Sequence, residues 1–91
     1  MKYKMEQLIN RNNQAIIKRG LITKDTTLDD YFDKLDEEVK EAKEAYNDDN
    51  LAEELSDIKS VCDNILLAMK RNPIIEYEKV VLKNEKRAND G

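Results

Sequence analysis

Apolar positions recur at three- and four-residue spacing in four stretches, separated by short polar breaks. That period predicts helices rather than strands. Residues 4–19 place Met5, Leu8, Ile9, Asn12 and Ile16 on one side, and Gly20 follows Lys18-Arg19 as a glycine stop with cations in the last turn. After a connector, Thr27 is placed to cap a second helix over 28–46, with Asp29 and Asp30 at the positive end of its dipole. Its stripe is Leu28, Phe32, Leu35, Val39, Ala42 and Tyr46. Asn47-Asp48-Asp49-Asn50 predicts a turn, with Asn50 capping a third helix and Glu53 closing a capping box. That helix extends to about residue 70 with Leu51, Leu55, Ile58, Cys62, Ile65, Leu66 and Met69 as its stripe. Asn72-Pro73 restarts the chain into a fourth helix, to about residue 88. The expectation is a single all-α domain over 1–91, with helices two and three as antiparallel neighbours across their short turn.

Charge adds a pattern that the period does not show. Residues 1–24 carry a net +5, residues 25–57 a net −11 and residues 58–91 a net +2. An anionic middle third repels itself unless cations neutralise it. It is either a solvated helix face or a cation site, and the spacing of the acids has to decide.

Helix two contains Glu38 and Glu41 three residues apart, and helix three contains Glu54 and Asp57 three apart. Each pair shares a helix face. Twelve residues separate Glu41 from Glu54, so a tight antiparallel turn can bring the pairs opposite each other. On a helical wheel Glu54 falls between Val61 and Ile65, inside the apolar stripe, and Asp57 lies at its edge beside Ala68. Glu38 falls between Tyr31 and Ala45, and Glu41 lies next to Ala45. Glu37, Glu44 and Glu53 point to solvent. A carboxylate on a core face costs several kcal/mol unless it is paired or ligates a metal. The alternative is a pair of amphipathic helices with acidic flanks bridged to Lys34, Lys40 or Lys43.

Composition narrows the chemistry. There is no histidine, so imidazole acid–base catalysis and His metal sites are excluded. One cysteine, Cys62, permits no internal disulfide and no zinc finger, and its place mid-stripe suggests buried packing. The two glycines, Gly20 and Gly91, make no phosphate-binding loop. Carboxylates remain, and they suit hard cations such as Mg²⁺ or Mn²⁺. No apolar run approaches the roughly 20 residues of a membrane span. The first residues lack the apolar segment of a signal peptide, so a cytoplasmic protein is expected. A sequence pI of about 4.9 argues against nucleic-acid binding.

Lys34-Leu35-x-Glu37-Glu38-x-x-Glu41, followed by Glu54-x-x-Asp57 and an apolar helix, resembles the motif of the MazG-like all-α nucleoside triphosphate pyrophosphohydrolases. The likeness extends over most of residues 14–87, including Lys18-Arg19-Gly20-Leu21-Ile22-Thr23 and Thr26-Thr27-Leu28. The spacer between the acidic pairs is at the short end for that family, and the tryptophan of some relatives' base pockets is absent. The resemblance implies a four-helix bundle assembled as a homodimer or homotetramer. It implies Mg²⁺-dependent hydrolysis of a (deoxy)nucleoside triphosphate to the monophosphate and pyrophosphate. Glu38, Glu41, Glu54 and Asp57 match the family's metal ligands, and Glu38 or Glu41, with Glu37 as an alternative, would take the proton of the attacking water. Lys34, Lys83 and Arg87 are the candidate phosphate contacts. Base recognition falls to Asn12, Asn13, Gln14, Tyr31 or Tyr46, the two tyrosines doubling as core candidates. Two other functions stay open: phosphoribosyl-ATP pyrophosphohydrolase, and a non-enzymatic helical interaction module in which the acids are dispensable.

Overall fold

The computed structural model describes residues 4–90. Residues 1–3, on which part of the leader-peptide expectation rests, lie outside them. The described residues form four α-helices and no strand: α1 (Met5–Lys18), α2 (Leu28–Lys43), α3 (Asp48–Ala68) and α4 (Pro73–Asp90). None of these helices is long and apolar enough to cross a membrane.

Local chemistry explains most of the helix ends. Gly20, at φ 76°, follows α1, and the backbone N–H groups of Gly20 and Leu21 donate to Ile17 and Ile16 carbonyls at 2.9 and 3.2 Å. This double closure satisfies carbonyls that the last turn leaves open. The same closure ends α3, where Lys70 and Arg71 donate to Leu67 and Leu66. Here the left-handed position is Lys70, at φ 62°, a residue that lacks glycine's freedom. Thr27 caps α2 as the sequence suggests: its Oγ1 accepts from the Asp30 N–H at 3.1 Å, and Asp30 Oδ2 accepts from the Thr27 N–H at 2.9 Å. Asn72 Oδ1 accepts from the Ile74 N–H at 2.9 Å and starts α4 at Pro73.

The turn between α2 and α3 differs from the expectation. Helix α2 stops at Lys43, not near residue 46, and Tyr46 is 82% exposed. Extending the helix to Tyr46 would bury nothing. Asn47, not Asn50, caps α3: its Oδ1 accepts from the Asn50 N–H at 2.8 Å.

Packing centres on the α2–α3 hairpin, which makes the most extensive helix–helix contact; α1 and then α4 pack more lightly on α3. Tyr31, Val61 and Ile65 form the buried cluster, with Ile22 and Leu35 against it. The helices are rotated relative to their sequence stripes. Tyr31 is buried while its neighbour Phe32 is 46% exposed, and Leu28, Leu55 and Met69 are also exposed. Cys62, expected in the core, is exposed, because it follows Leu55 by two turns on the outward side of α3. From Tyr77 to Asp90 every residue of α4 is exposed.

Candidate metal centre

The α2–α3 seam brings together the acids that spacing placed on facing sides. One carboxylate oxygen from each of Glu38, Glu41 and Glu54 lies within 4.8 Å of the others. Oxygens held by one Mg²⁺ at about 2.0–2.1 Å are about 3–4 Å apart, which this grouping accommodates.

Burial gives the cluster its character. Glu38 is 6% exposed, Glu54 is half-buried and Glu41 stands at the solvent edge. Glu38 Oε2 and Glu54 Oε2 are both buried with no hydrogen-bond partner. An unpaired buried carboxylate oxygen is among the costlier features a small domain can carry. Two at one seam, beside Glu41, form a set of oxygen donors, and an all-oxygen set suits a hard cation.

The other oxygen of Glu38 is compensated. Lys34 Nζ lies 3.0 Å from Glu38 Oε1 and 3.6 Å from Glu37 Oε1. Its pKa is raised, chiefly by the hydrogen bond to Glu38. Glu41 holds its proton to higher pH than an ordinary glutamate, first because of the Glu38 charge, with desolvation and Glu54 adding. Asp57 is raised as well, by burial first and then by Glu38 and Glu54.

Asp57, the fourth acid of the motif, is outside the three-glutamate grouping but within its electrostatic reach. It borders a cavity together with Glu38 and Lys34. Lys83 and Arg87 are exposed on α4 and belong neither to the cluster nor to the lining of that cavity. Glu37, Glu44 and Glu53 are exposed, as the wheel predicts.

Sequence reasoning passed over Asn64, which is 5% exposed and accepts a 2.9 Å hydrogen bond from Asn13 Nδ2. The signal was available: a lone amide three residues after Val61 and four before Ala68, inside the apolar arc of α3. Beside it, Asn12 Nδ2 donates to Ser60 Oγ at 2.6 Å. Two of the α1 amides singled out for base recognition therefore tie α1 to α3. In comparisons with protein-family models, curated proteins and solved structures, nothing matches the chain.

Proposed function

We propose that the chain is a cytoplasmic, MazG-like nucleotide pyrophosphohydrolase that depends on Mg²⁺, with Mn²⁺ able to replace it. The observation that carries this reading is the pair of buried, unpartnered oxygens, Glu38 Oε2 and Glu54 Oε2, facing one seam with Glu41. A structural ion pair would have filled those positions with lysine or arginine. Here Lys34 takes the outer oxygen of Glu38 alone.

Glu38, Glu41 and Glu54 would hold the cation, with Asp57 completing the set after a side-chain rotation. A bound divalent cation supplies Lewis acidity and lowers the pKa of its water. The chain's own residues do the rest. In the reaction, water oxygen bonds to the α- or the β-phosphorus, the bond from that phosphorus to the α–β bridging oxygen breaks, and nucleoside monophosphate and pyrophosphate separate. The water proton goes to a carboxylate, since the sequence has no histidine. Glu41 suits that role by position, at the solvent edge of the cluster. Lys34, on the rim beside Glu38, is in place to meet a phosphate oxygen.

The working unit is a homodimer or homotetramer in this reading. The accessible surface is 7438 Å², whereas a compact monomer of this mass exposes about 5,500 Å². The radius of gyration is 15.0 Å, against about 12 Å for a compact chain of this length. Leu28, Phe32, Leu55 and Leu82 are all more than 45% exposed. In an assembly of this kind, α4 of a second copy brings Lys83 and Arg87 to the acidic seam.

A screen of the eight common NTPs and dNTPs, with phosphoribosyl-ATP, with and without Mg²⁺, tests the activity. Mg²⁺-dependent release of pyrophosphate is expected. Orthophosphate as the sole inorganic product overturns the reading, and turnover of phosphoribosyl-ATP alone reassigns the substrate. If the Glu38→Gln and Glu54→Gln variants leave the protein's function untouched, the acids are dispensable and the helical surface carries that function.

A further inference from the structure

The turn between α3 and α4 lies at the far end of α3 from the acids. From Glu54 to Ala68 the helix rises about 20 Å. There the first turns of α1, the last turn of α3 and the start of α4 enclose a cavity of about 310 Å³. Its floor is apolar: Ile9 and Pro73 are buried, and Leu67 and Ile74 are half-buried. Its rim is polar and exposed, with Lys70 and Arg71 on the side of the turn and Glu6 and Asn10 on α1. Small-molecule sites have volumes of about 300–1,000 Å³ and are mostly apolar with a few polar groups.

Lys70 sets this cavity apart from a gap in packing. The same helix-ending closure occurs twice in the chain. At the end of α1 the left-handed position is Gly20, at φ 76°, and at the end of α3 it is Lys70, at φ 62°. A side chain is strained there and glycine is not. Among the described residues the Lys70 side chain makes no ion pair and no hydrogen bond that would offset the strain. Arg71 is only loosely engaged. Its guanidinium lies 3.9 Å from Glu76 Oε1, an oxygen that Lys79 Nζ already holds at 3.1 Å. Two consecutive cations with spare donors thus border an apolar cavity. The first N–H groups of α4 are not free for a ligand, since the Ile74 and Ile75 N–H groups donate to Asn72 Oδ1 at 2.9 and 3.4 Å.

We propose that this cavity binds a small organic phosphate monoester, with the phosphate held by Lys70 and Arg71 and the apolar group against Ile9, Leu67 and Ile74. A dianion matches two adjacent cations, and a guanidinium meets phosphate oxygens as a two-pronged donor. Glu6 repels the head group from the α1 side, which leaves the turn for the phosphate and the α1 side for the apolar group. The site does not rest on the pyrophosphohydrolase reading. It is remote from the acidic seam, so its ligand is an effector and not the substrate.

The test is separate titration of phenyl phosphate, phenol and inorganic phosphate into the intact protein in EDTA, followed by ¹H–¹⁵N NMR of the backbone amides. Phenyl phosphate should shift the amides of Asn10, Leu67, Arg71 and Ile74 along one saturating curve, about tenfold tighter than either fragment. Arg71→Gln and Lys70→Gly should each weaken it about tenfold, the size of one lost hydrogen bond to a charged group. Lys70→Gly should do so with a melting temperature no lower than wild type, which separates loss of the ligand contact from loss of the fold. If Lys70→Gly proves unstable, Arg71→Gln alone decides. Phenol binding as tightly as phenyl phosphate would leave an apolar gap only, and inorganic phosphate doing so would leave a surface cation pair only; either overturns the proposal. So does the absence of a saturable shift, or unchanged affinity in a folded variant. Shifts centred instead on Thr23, Thr26 and Tyr31, in the neighbouring cavity that Lys70 also borders, overturn it too.

Discussion

The Lys34 ammonium lies 3.0 Å from Glu38 Oε1, one turn along α2, while Glu38 Oε2 is buried without a partner. The lysine side chain is 51% exposed and that of the glutamate 8%. The pair therefore spans the boundary between water and the α2–α3 seam. One carboxylate oxygen is compensated and fixed in place. The other has no counter-charge, on a carboxylate grouped with those of Glu41 and Glu54.

Replacing Lys34 by Met leaves a buried carboxylate with no counter-charge. Because the lysine is half exposed, solvent screens much of the loss, and the expected destabilisation is about 1 kcal/mol. Lys34→Arg should recover most of it. Urea denaturation of the metal-free protein measures both, and a Lys34→Met protein as stable as wild type would show that the pair contributes nothing.

Glu54→Gln and Glu38→Gln should separate metal binding from stability. Glu54 Oε2 has no partner, so removing its charge relieves repulsion. The metal-free Glu54→Gln protein should gain about 1 kcal/mol, which for a domain this size raises Tm by about 4–8 °C. In Glu38→Gln the lost Lys34 bridge offsets that gain, and the melting temperature should move little. Both variants should lose Mn²⁺ binding in a calorimetric titration; retained affinity in either one removes that residue from the ligand set.

Stability of the metal-free protein should rise as pH falls from neutrality toward the ordinary carboxylate range. Glu41 and Asp57 have raised pKa values in the fold. In the window between their ordinary and raised values the folded state binds more protons than the unfolded state, so stability is gained on acidification and lost as pH rises through the folded values. Asp30 is shifted the other way, by its hydrogen bonds with Thr27, and its contribution is lost only at the acid end, below its ordinary value. Saturating Mg²⁺ should flatten or reverse the trend, because the ligands must be deprotonated to bind. Thermal melts across pH, with and without Mg²⁺, decide the point; a metal-free melting temperature that falls steadily from pH 7 to pH 5 would contradict it.

Phe32→Glu and Leu55→Glu should break the assembly without unfolding the helices. Both side chains are about half exposed in the isolated chain, so a charge there costs the monomer little and the interface much. Wild-type protein should sediment as a dimer or tetramer with a concentration-dependent melting temperature, and the variants as 10.6 kDa monomers. A fully active wild-type monomer at micromolar concentration would rule the assembly out.

Lys70 occupies a left-handed backbone position, φ 62°, at the end of α3. Relief of the steric cost outweighs the added freedom of the unfolded chain, so Lys70→Gly should stabilise the protein by about 0.5–1 kcal/mol in urea denaturation. A destabilised Lys70→Gly variant would mean that the lysine side chain makes up for the strain.

Much of the site is visible along the chain because it depends on local geometry. Glu38 and Glu41 share a face of α2, and Glu54 lies inside the apolar arc of α3, as a consequence of 3.6 residues per turn. Thr27 with Asp30, and Asn72 with Pro73, mark helix starts through side chains that reach backbone groups two or three residues away. The choice of Asn47 over Asn50 was not visible. Both ends of Asn47-Asp48-Asp49-Asn50 carry a capping amide, and closure of the hairpin selects the earlier one.

Local periodicity thus determined four helices, their order and the face each acid occupies, since these follow from interactions spanning a turn or two of the same helix. Tertiary structure decided how far each helix turns about its own axis. The apolar arc of α3 is wider than the surface α1 and α2 can cover, so sequence alone leaves open which part of it meets them. Packing placed Val61 and Ile65 inward with Tyr31, left Leu55 and Cys62 outward, and buried Asn64 because Asn13 of α1 stood ready to bond it. The same rotation turned Glu38 Oε2 and Glu54 Oε2 away from water. A pattern of residue types can place a carboxylate on a helix face, but only the neighbouring helix decides whether water still reaches it.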